Sequence, residues 1–326
     1  ANDNTAFGSA ALYLNTTGTG NVAVGSGSLD ANTTGDYTVS VGRNALTAQT
    51  TGGNNTAVGD SALAANTTAS NNTAVGYGSL IANTTGEYNV AVGATAGDAL
   101  TTGSLNTAVG YNTLGVATTA ANNTALGGQA LAVNTSGANN TAVGMNAMVA
   151  NTTGAENTAV GATAADAVTT ASSVTAIGYG ALGACTTGAN NIAIGVGAAS
   201  SVTTSTYQLA IGDTALDAVT GGSYQIAIGN VALTKQNTTS GNVFNTAVGH
   251  FSMSESTTAN DNTAVGWKAL SATVSAVDNV SIGSNSLRDL VSGNFNVAIG
   301  TGAMAAVVST TRNIAVGTDA LNNTQS

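Results

Sequence analysis

His250 and Cys185 are the only histidine and the only cysteine in the chain. A Ser-His-Asp or Cys-His pair needs a nucleophile and a base within hydrogen-bond reach, and one copy of each leaves little to build it from. Gly76-Tyr77-Gly78 and Gly178-Tyr179-Gly180 open like phosphate-binding loops, yet no helical pattern follows either, so a nucleotide site does not follow from them. The carboxylates never take the Gly-Gly-x-Gly-x-Asp order of calcium-binding rolls. Asp213 and Asp217 are one pair that a metal could use, against the plainer reading of two solvated charges. A lone cysteine also excludes an internal disulfide. The expectation is a chain without catalysis, cofactor or metal.

Whatever positions these residues repeats. A glycine closes the phrase Asn-Thr-Ala-Val-Gly at Gly8 and then every 17 residues to Gly229; one step of 20 reaches Gly249, and steps of 17 resume to Gly317. That makes nineteen units and a single repeat array over 1–326, with one three-residue insertion between Gly229 and Gly249. Numbered 1 to 17, the unit reads N-T-A-V-G-x-x-A-L-x-x-N-T-T-G-x-x. Position 4 is always bulky and apolar, position 2 is always Thr, Val, Ile or Leu, and position 3 between them is Ala or Ser. Such period-two alternation predicts a short strand. The frequent Leu at position 9 predicts a second inward-facing segment. Gly at 5 and Asn-Thr-Thr-Gly at 12 to 15 supply turns.

The charges test this frame independently. All twenty Asp, Glu, Lys and Arg fall at positions 6, 7, 10, 11, 16 or 17. An unpaired charge costs several kcal/mol to desolvate, so the charge-free columns are those that pack. A unit with two strands and two turns makes one coil of a β-solenoid. At about 4.8 Å per coil, nineteen coils predict a rod of roughly 90 Å. Asn occupies position 1 in fifteen units, and stacked Asn side chains could bond along it. Positions 2 and 4 are expected to fill the core. The small residues at 3 and 8 are expected to form a stripe against a neighbouring chain.

Composition narrows the partners. With 42 Gly, no Pro, 6% charged residues, 43% hydrophobic residues and a net charge of -10, the chain is neither disordered nor suited to phosphate backbones. No run of about 18 apolar residues could insert in a membrane, and no basic-then-apolar signal opens the chain. It begins nearly in register at Asn4 and stops inside the nineteenth unit, as a segment of a longer protein would.

The stretch NTAVGYGSLIANTTG at 72–86 resembles the head repeats of trimeric autotransporter adhesins. It is equally similar to shaft repeats of bacteriophage tail fibres, especially of marine and cyanobacterial phages. The resemblance covers essentially the whole chain. It implies a left-handed parallel β-roll with three chains packed side by side. The constant 17-residue unit with its NTTG turn departs from the shorter adhesin unit, and no coiled-coil stalk, anchor or chaperone domain is visible. The expected fold is therefore all-β, a parallel β-roll solenoid of nineteen 17-residue coils in a side-by-side homotrimer. The expected role is a non-enzymatic shaft or head of an extracellular adhesive appendage, on a virion tail fibre or a bacterial cell surface. Its partners would be other copies of itself and cell-surface polysaccharide. The alternatives are a purely structural extracellular filament and an ice- or glycan-binding surface solenoid.

Ten of the thirteen aromatics flank the strand at positions 17 and 6. They pack over strand edges, or they offer stacking platforms to glycans. Tyr77 and Tyr88 are the first candidate contacts. The C-terminal third holds four of the five basic residues and opens with the insertion TKQNTTSGNVF. Lys235, Phe244, His250, Phe251 and Trp267 make a second candidate patch, against the alternative of repeat drift. Asn-Thr-Thr at Asn32, Asn83 and Asn151 fits a glycan acceptor, or simple turn chemistry.

Overall fold

The computed structural model describes residues 2–237 and 241–322. The chain divides into two compact units, Ala1–Ala162 and Thr163–Ser326. Both are built from one element, a three-residue strand per coil. The first unit holds ten, from Thr5–Phe7 to Thr158–Val160, and the second nine, from Thr175–Ile177 to Ile314–Val316. Within each unit successive strands pair in parallel. Thr73, Ala74 and Val75 of β5 (Thr73–Val75) face Val90, Ala91 and Val92 of β6 (Val90–Val92). Register survives the insertion, since β14 (Ile226–Ile228) meets β15 (Thr246–Val248) residue for residue. The chain is thus an all-β parallel solenoid with coils of 17 residues, and no helix forms among the described residues. Residues 238–240 of the insertion lie outside them.

Two expectations are corrected. Each coil carries one strand, not two. The segment around position 9 does bond to the next coil, with Leu29 N–H donating to Ala45 O at 3.0 Å and Leu63 N–H to Ser79 O at 3.0 Å. Its backbone, however, enters the left-handed region at positions 7 and 9, as at Ser61 (φ 58°) and Leu63 (φ 52°), which breaks the pleat. Each such residue costs about 1 kcal/mol, and a fully buried Leu returns roughly 1.5–3 kcal/mol. Leu29, Leu46, Leu63 and Leu80 are all fully buried.

The strand also faces the other way from the one expected. In β6, Ala91 is 0% exposed, while Val90 and Val92 are 38% and 37% exposed. Small residues at positions 3 and 8 point inward with the Leu of position 9, and the β-branched residues of 2 and 4 point out. The cause is thickness. One strand set against a buried Leu turn leaves room for a methyl group between them, not for a Val side chain. The stripe of small residues is the inside of the coil, so it cannot meet a neighbouring chain.

Two polar columns complete the interior. Asn89 N–H donates to Asn72 Oδ1 at 2.9 Å, and Asn72 Nδ2 donates to Gly86 O at 2.8 Å. The bonds repeat coil after coil, as the Asn ladder predicts. At position 12, Asn83 Nδ2 reaches Asn66 Oδ1 at 3.2 Å and Gly86 O at 3.0 Å. Buried amides are costly unless bonded, and these satisfy the turn carbonyls that the thin coil exposes to its own core. Gly76 shows why position 5 admits no side chain: its φ is 135°, and a Cβ would lie 2.4 Å from Gly93 O.

Candidate functional site

The interior columns bury the polar groups that could have reacted. The Cys185 thiol is buried and donates to Gly188 O at 3.3 Å. Burial pushes its pKa up, with the bond to Gly188 opposing, so it is a poor nucleophile. Asn32, Asn83 and Asn151 are fully buried turn residues, out of reach of a glycan-transferring enzyme. The outward hydroxyls of position 13 are engaged too, for example Thr33 Oγ1 with Thr50 O at 3.0 Å and Thr84 Oγ1 with Thr101 O at 3.1 Å. Asp213 and Asp217 take separate partners, Asn230 and Ser200. Among the described residues no group of three or more His, Cys, Asp and Glu could hold a metal ion.

Chemistry is left to the outward columns. Tyr77 and Tyr88 are both exposed, but they leave the strand at opposite ends, at positions 6 and 17, and make no shared patch. In the second unit three successive rings of position 17 do meet. Tyr207 and Tyr224 stack with centroids 5.0 Å apart, and Phe244 follows Tyr224 at 5.6 Å. Rings stacked on each other along the coils turn their edges, not their faces, to solvent, which weakens the platform reading for this trio.

The C-terminal patch separates into two places. Phe244 belongs to the ring stack on one side of β15. His250 and Phe251 lie beyond its other end, with rings 4.1 Å apart and edge to face. Lys268 Nζ sits 4.7 Å from the Trp267 ring centroid, a cation–π contact. Lys235 pairs with Glu255 at 2.5 Å. A pocket of about 290 Å³ opens on this side, lined by Phe251, Ser254, Glu255, Lys268, Ser271, Arg288 and Asp289. Arg288 holds Asp289 at 2.6 Å, and that hydrogen bond draws the Asp289 carboxyl below its usual range. The walls are fixed by backbone bonds between coils. Glu255 N–H reaches Ser271 O at 3.0 Å and Ala272 N–H reaches Arg288 O at 2.9 Å.

Of the candidates read from sequence, the structure brings Phe251 and Lys235 to this pocket or its rim, with His250 and Trp267 beside its walls. Glu255, Arg288 and Asp289 were missed. Their signal is present in the frame: position 11 is charged only at Lys235, Glu255 and Asp289. The chain matches no protein-family model and no curated protein.

Proposed function

We propose that this chain is a fibrous shaft or head of an extracellular adhesive appendage, a virion tail fibre or a bacterial surface adhesin, formed by side-by-side association of identical copies. The observation that carries the reading is the outward face of the strands. Positions 2 and 4 put Thr, Val and Ile on the surface of every coil, with no charge among them. At roughly 50 Å² per side chain, the two columns across the ten strands of the first unit present on the order of 1,000 Å². A lone soluble protein exposes a few hundred Å² in one patch, and a stable interface takes about 800 Å² from each partner. Flat, regular and charge-free, the face suits a second copy of itself.

Three copies follow from the resemblance to adhesin heads and fibre shafts. Extracellular location follows from the same resemblance, and a role without catalysis rests on the single histidine and the single, buried cysteine. Sedimentation equilibrium tests the assembly. A mass three times that of the chain supports the reading, and a monomer at micromolar concentration removes it.

A second reading, ice binding, draws on the same face, because outward Thr and Val at regular strand spacing form an ordered array. Ile192, Leu209 and Ile226 replace Thr at position 2 in successive coils of the second unit. That change favours apolar packing over a hydroxyl lattice. Thermal hysteresis of the dispersed protein separates the two.

A further inference from the structure

The charged and aromatic side chains lining the pocket at β15, β16 (Thr263–Val265) and β17 (Val280–Ile282) have no counterpart elsewhere in the repeat. Position 11 carries charge only at Lys235, Glu255 and Asp289, and position 10 carries a base only at Arg288. Position 7 is Gly or Asn in nine of nineteen coils, as its left-handed backbone favours. Phe251 and Lys268 occupy it at φ 59° and 53°. A bulky ring and a long cation are poor choices for that backbone, and each gains only one ring contact there, Phe251 with His250 and Lys268 with Trp267.

The charges do not cancel. Glu255 is held by Lys235 at 2.5 Å and Asp289 by Arg288 at 2.6 Å. Lys268 packs on Trp267 and has no carboxylate within reach among the described residues. Within the lining Lys268 and Arg288 balance Glu255 and Asp289; Lys235, outside it, pairs with Glu255 and leaves one positive charge over, in a chain whose net charge is -10. The pocket also offers Ser254 and Ser271 hydroxyls and the half-buried Phe251 ring. Its volume of about 290 Å³ lies at the small end of ligand sites.

We infer that this pocket binds one acidic pyranose, a uronic- or sialic-acid unit of a surface polysaccharide. The sugar carboxylate pairs with Lys268. Its hydroxyls donate to the Glu255 and Asp289 carboxylates and bond Ser254 and Ser271, and the apolar side of the ring lies against Phe251. The inference deepens the adhesive reading and rests on it for its biological sense, while the pocket chemistry is measurable alone.

The test is calorimetric titration of the assembled protein with glucuronate, galacturonate, N-acetylneuraminate and neutral glucose. At least one acidic sugar should bind at least tenfold tighter than glucose and weaken with added salt. Lys268→Asn and Phe251→Asn should each lower that affinity at least tenfold. Both install a residue the repeat uses at this position and its backbone favours, so the assembled mass should stay unchanged and the unfolding midpoint should not fall. Acidic sugars binding no better than glucose, or binding that survives both substitutions, overturns the proposal. Attachment to bacteria with uronic-acid capsules separates it from the wider reading. Wild-type attachment that is lost with Lys268→Asn supports the pocket. Equal attachment of both proteins overturns the pocket and leaves adhesion standing. Glucuronate binding without cell attachment supports the pocket and counts against adhesion.

Discussion

The adjacent residues Ala91 and Val92 should fail in opposite ways. Val92→Asp puts a carboxylate on the outward face, where the side chain is 37% exposed in the single chain. There the charge stays solvated, and lost strand propensity with part of a buried Val costs about 1 kcal/mol. Between copies the same charge is desolvated without a partner, which costs several kcal/mol per chain. At 1.4 kcal/mol per tenfold change, about 3 kcal/mol weakens association roughly a hundredfold for each chain. Ala91→Val acts inside. Its Cβ is fully buried, and two added methyl groups in a close-packed coil cost about 1–3 kcal/mol through strain.

Sedimentation equilibrium and urea unfolding by circular dichroism should separate the pair. Val92→Asp should dissociate the assembly while single-chain unfolding shifts little, and Ala91→Val should lower the unfolding midpoint. A Val92→Asp protein that keeps its assembled mass refutes the outward face as the contact. An Ala91→Val protein of unchanged stability, paired with an unfolded Val92→Asp, would show that the valines point inward after all.

Gly76→Ala should cost at least about 2 kcal/mol in urea unfolding, because φ 135° and a Cβ 2.4 Å from Gly93 O strain any side chain there. Asp98 has its pKa raised, chiefly by burial, so the folded state prefers the protonated acid. Its contribution to stability is present in acid and fades as pH rises through the raised carboxylate range. Asp98→Asn should therefore raise the urea midpoint at pH 7 and leave it nearly unchanged at pH 3. Thr38 replaces Asn at position 1 of its coil, and Gln49 replaces Asn at position 12 of the same coil. Gln49 Nε2 reaches Thr38 Oγ1 at 3.3 Å, and its Oε1 accepts from Asn55 Nδ2 at 2.9 Å. Gln49→Asn alone should cost about 1–3 kcal/mol, and Thr38→Asn added to it should recover most of that. Additive effects would show that the two columns do not compensate.

The period of 17, the single insertion and the columns that exclude charge were legible because desolvation acts on every coil alike, and nineteen copies make its effect plain. The direction of the strand was not. Alternation places Val90 and Val92 on one face and Ala91 on the other, but which face is inside depends on coil thickness, and that is set by Leu80 and its equivalents across the core. Apolar residues on an outer surface read as core when only the sequence is in view. The left-handed backbone at Leu63 and Leu80 was hidden for a similar reason: Leu has no preference for it, and burial overrides the local cost. Phe251 was singled out as an unusual residue. Its neighbours Glu255, Arg288 and Asp289 come together only because 17-residue steps stack positions 7, 10 and 11 of successive coils.

The coil divides its work by column, and that division constrains where function can arise. Positions 1, 3, 5, 8, 9 and 12 hold the Asn ladders, the methyl and Leu core and the strained glycine, and a change at any of them is felt by the coils on either side. Positions 2 and 4 are outward but monotonous, held to Thr and apolar residues in every coil. Positions 6, 7, 10, 11, 16 and 17 carry every charge and twelve of the thirteen aromatics, all but Phe7. Apart from the left-handed backbone at positions 7 and 17, which favours Gly and Asn, the fold leaves their identity open. A binding site can therefore be written into those columns, one coil at a time, without disturbing either the core or the charge-free outward face. The pocket at Phe251 and Lys268 is built wholly from them, and the coils around it keep the same in-register strands as the rest of the unit.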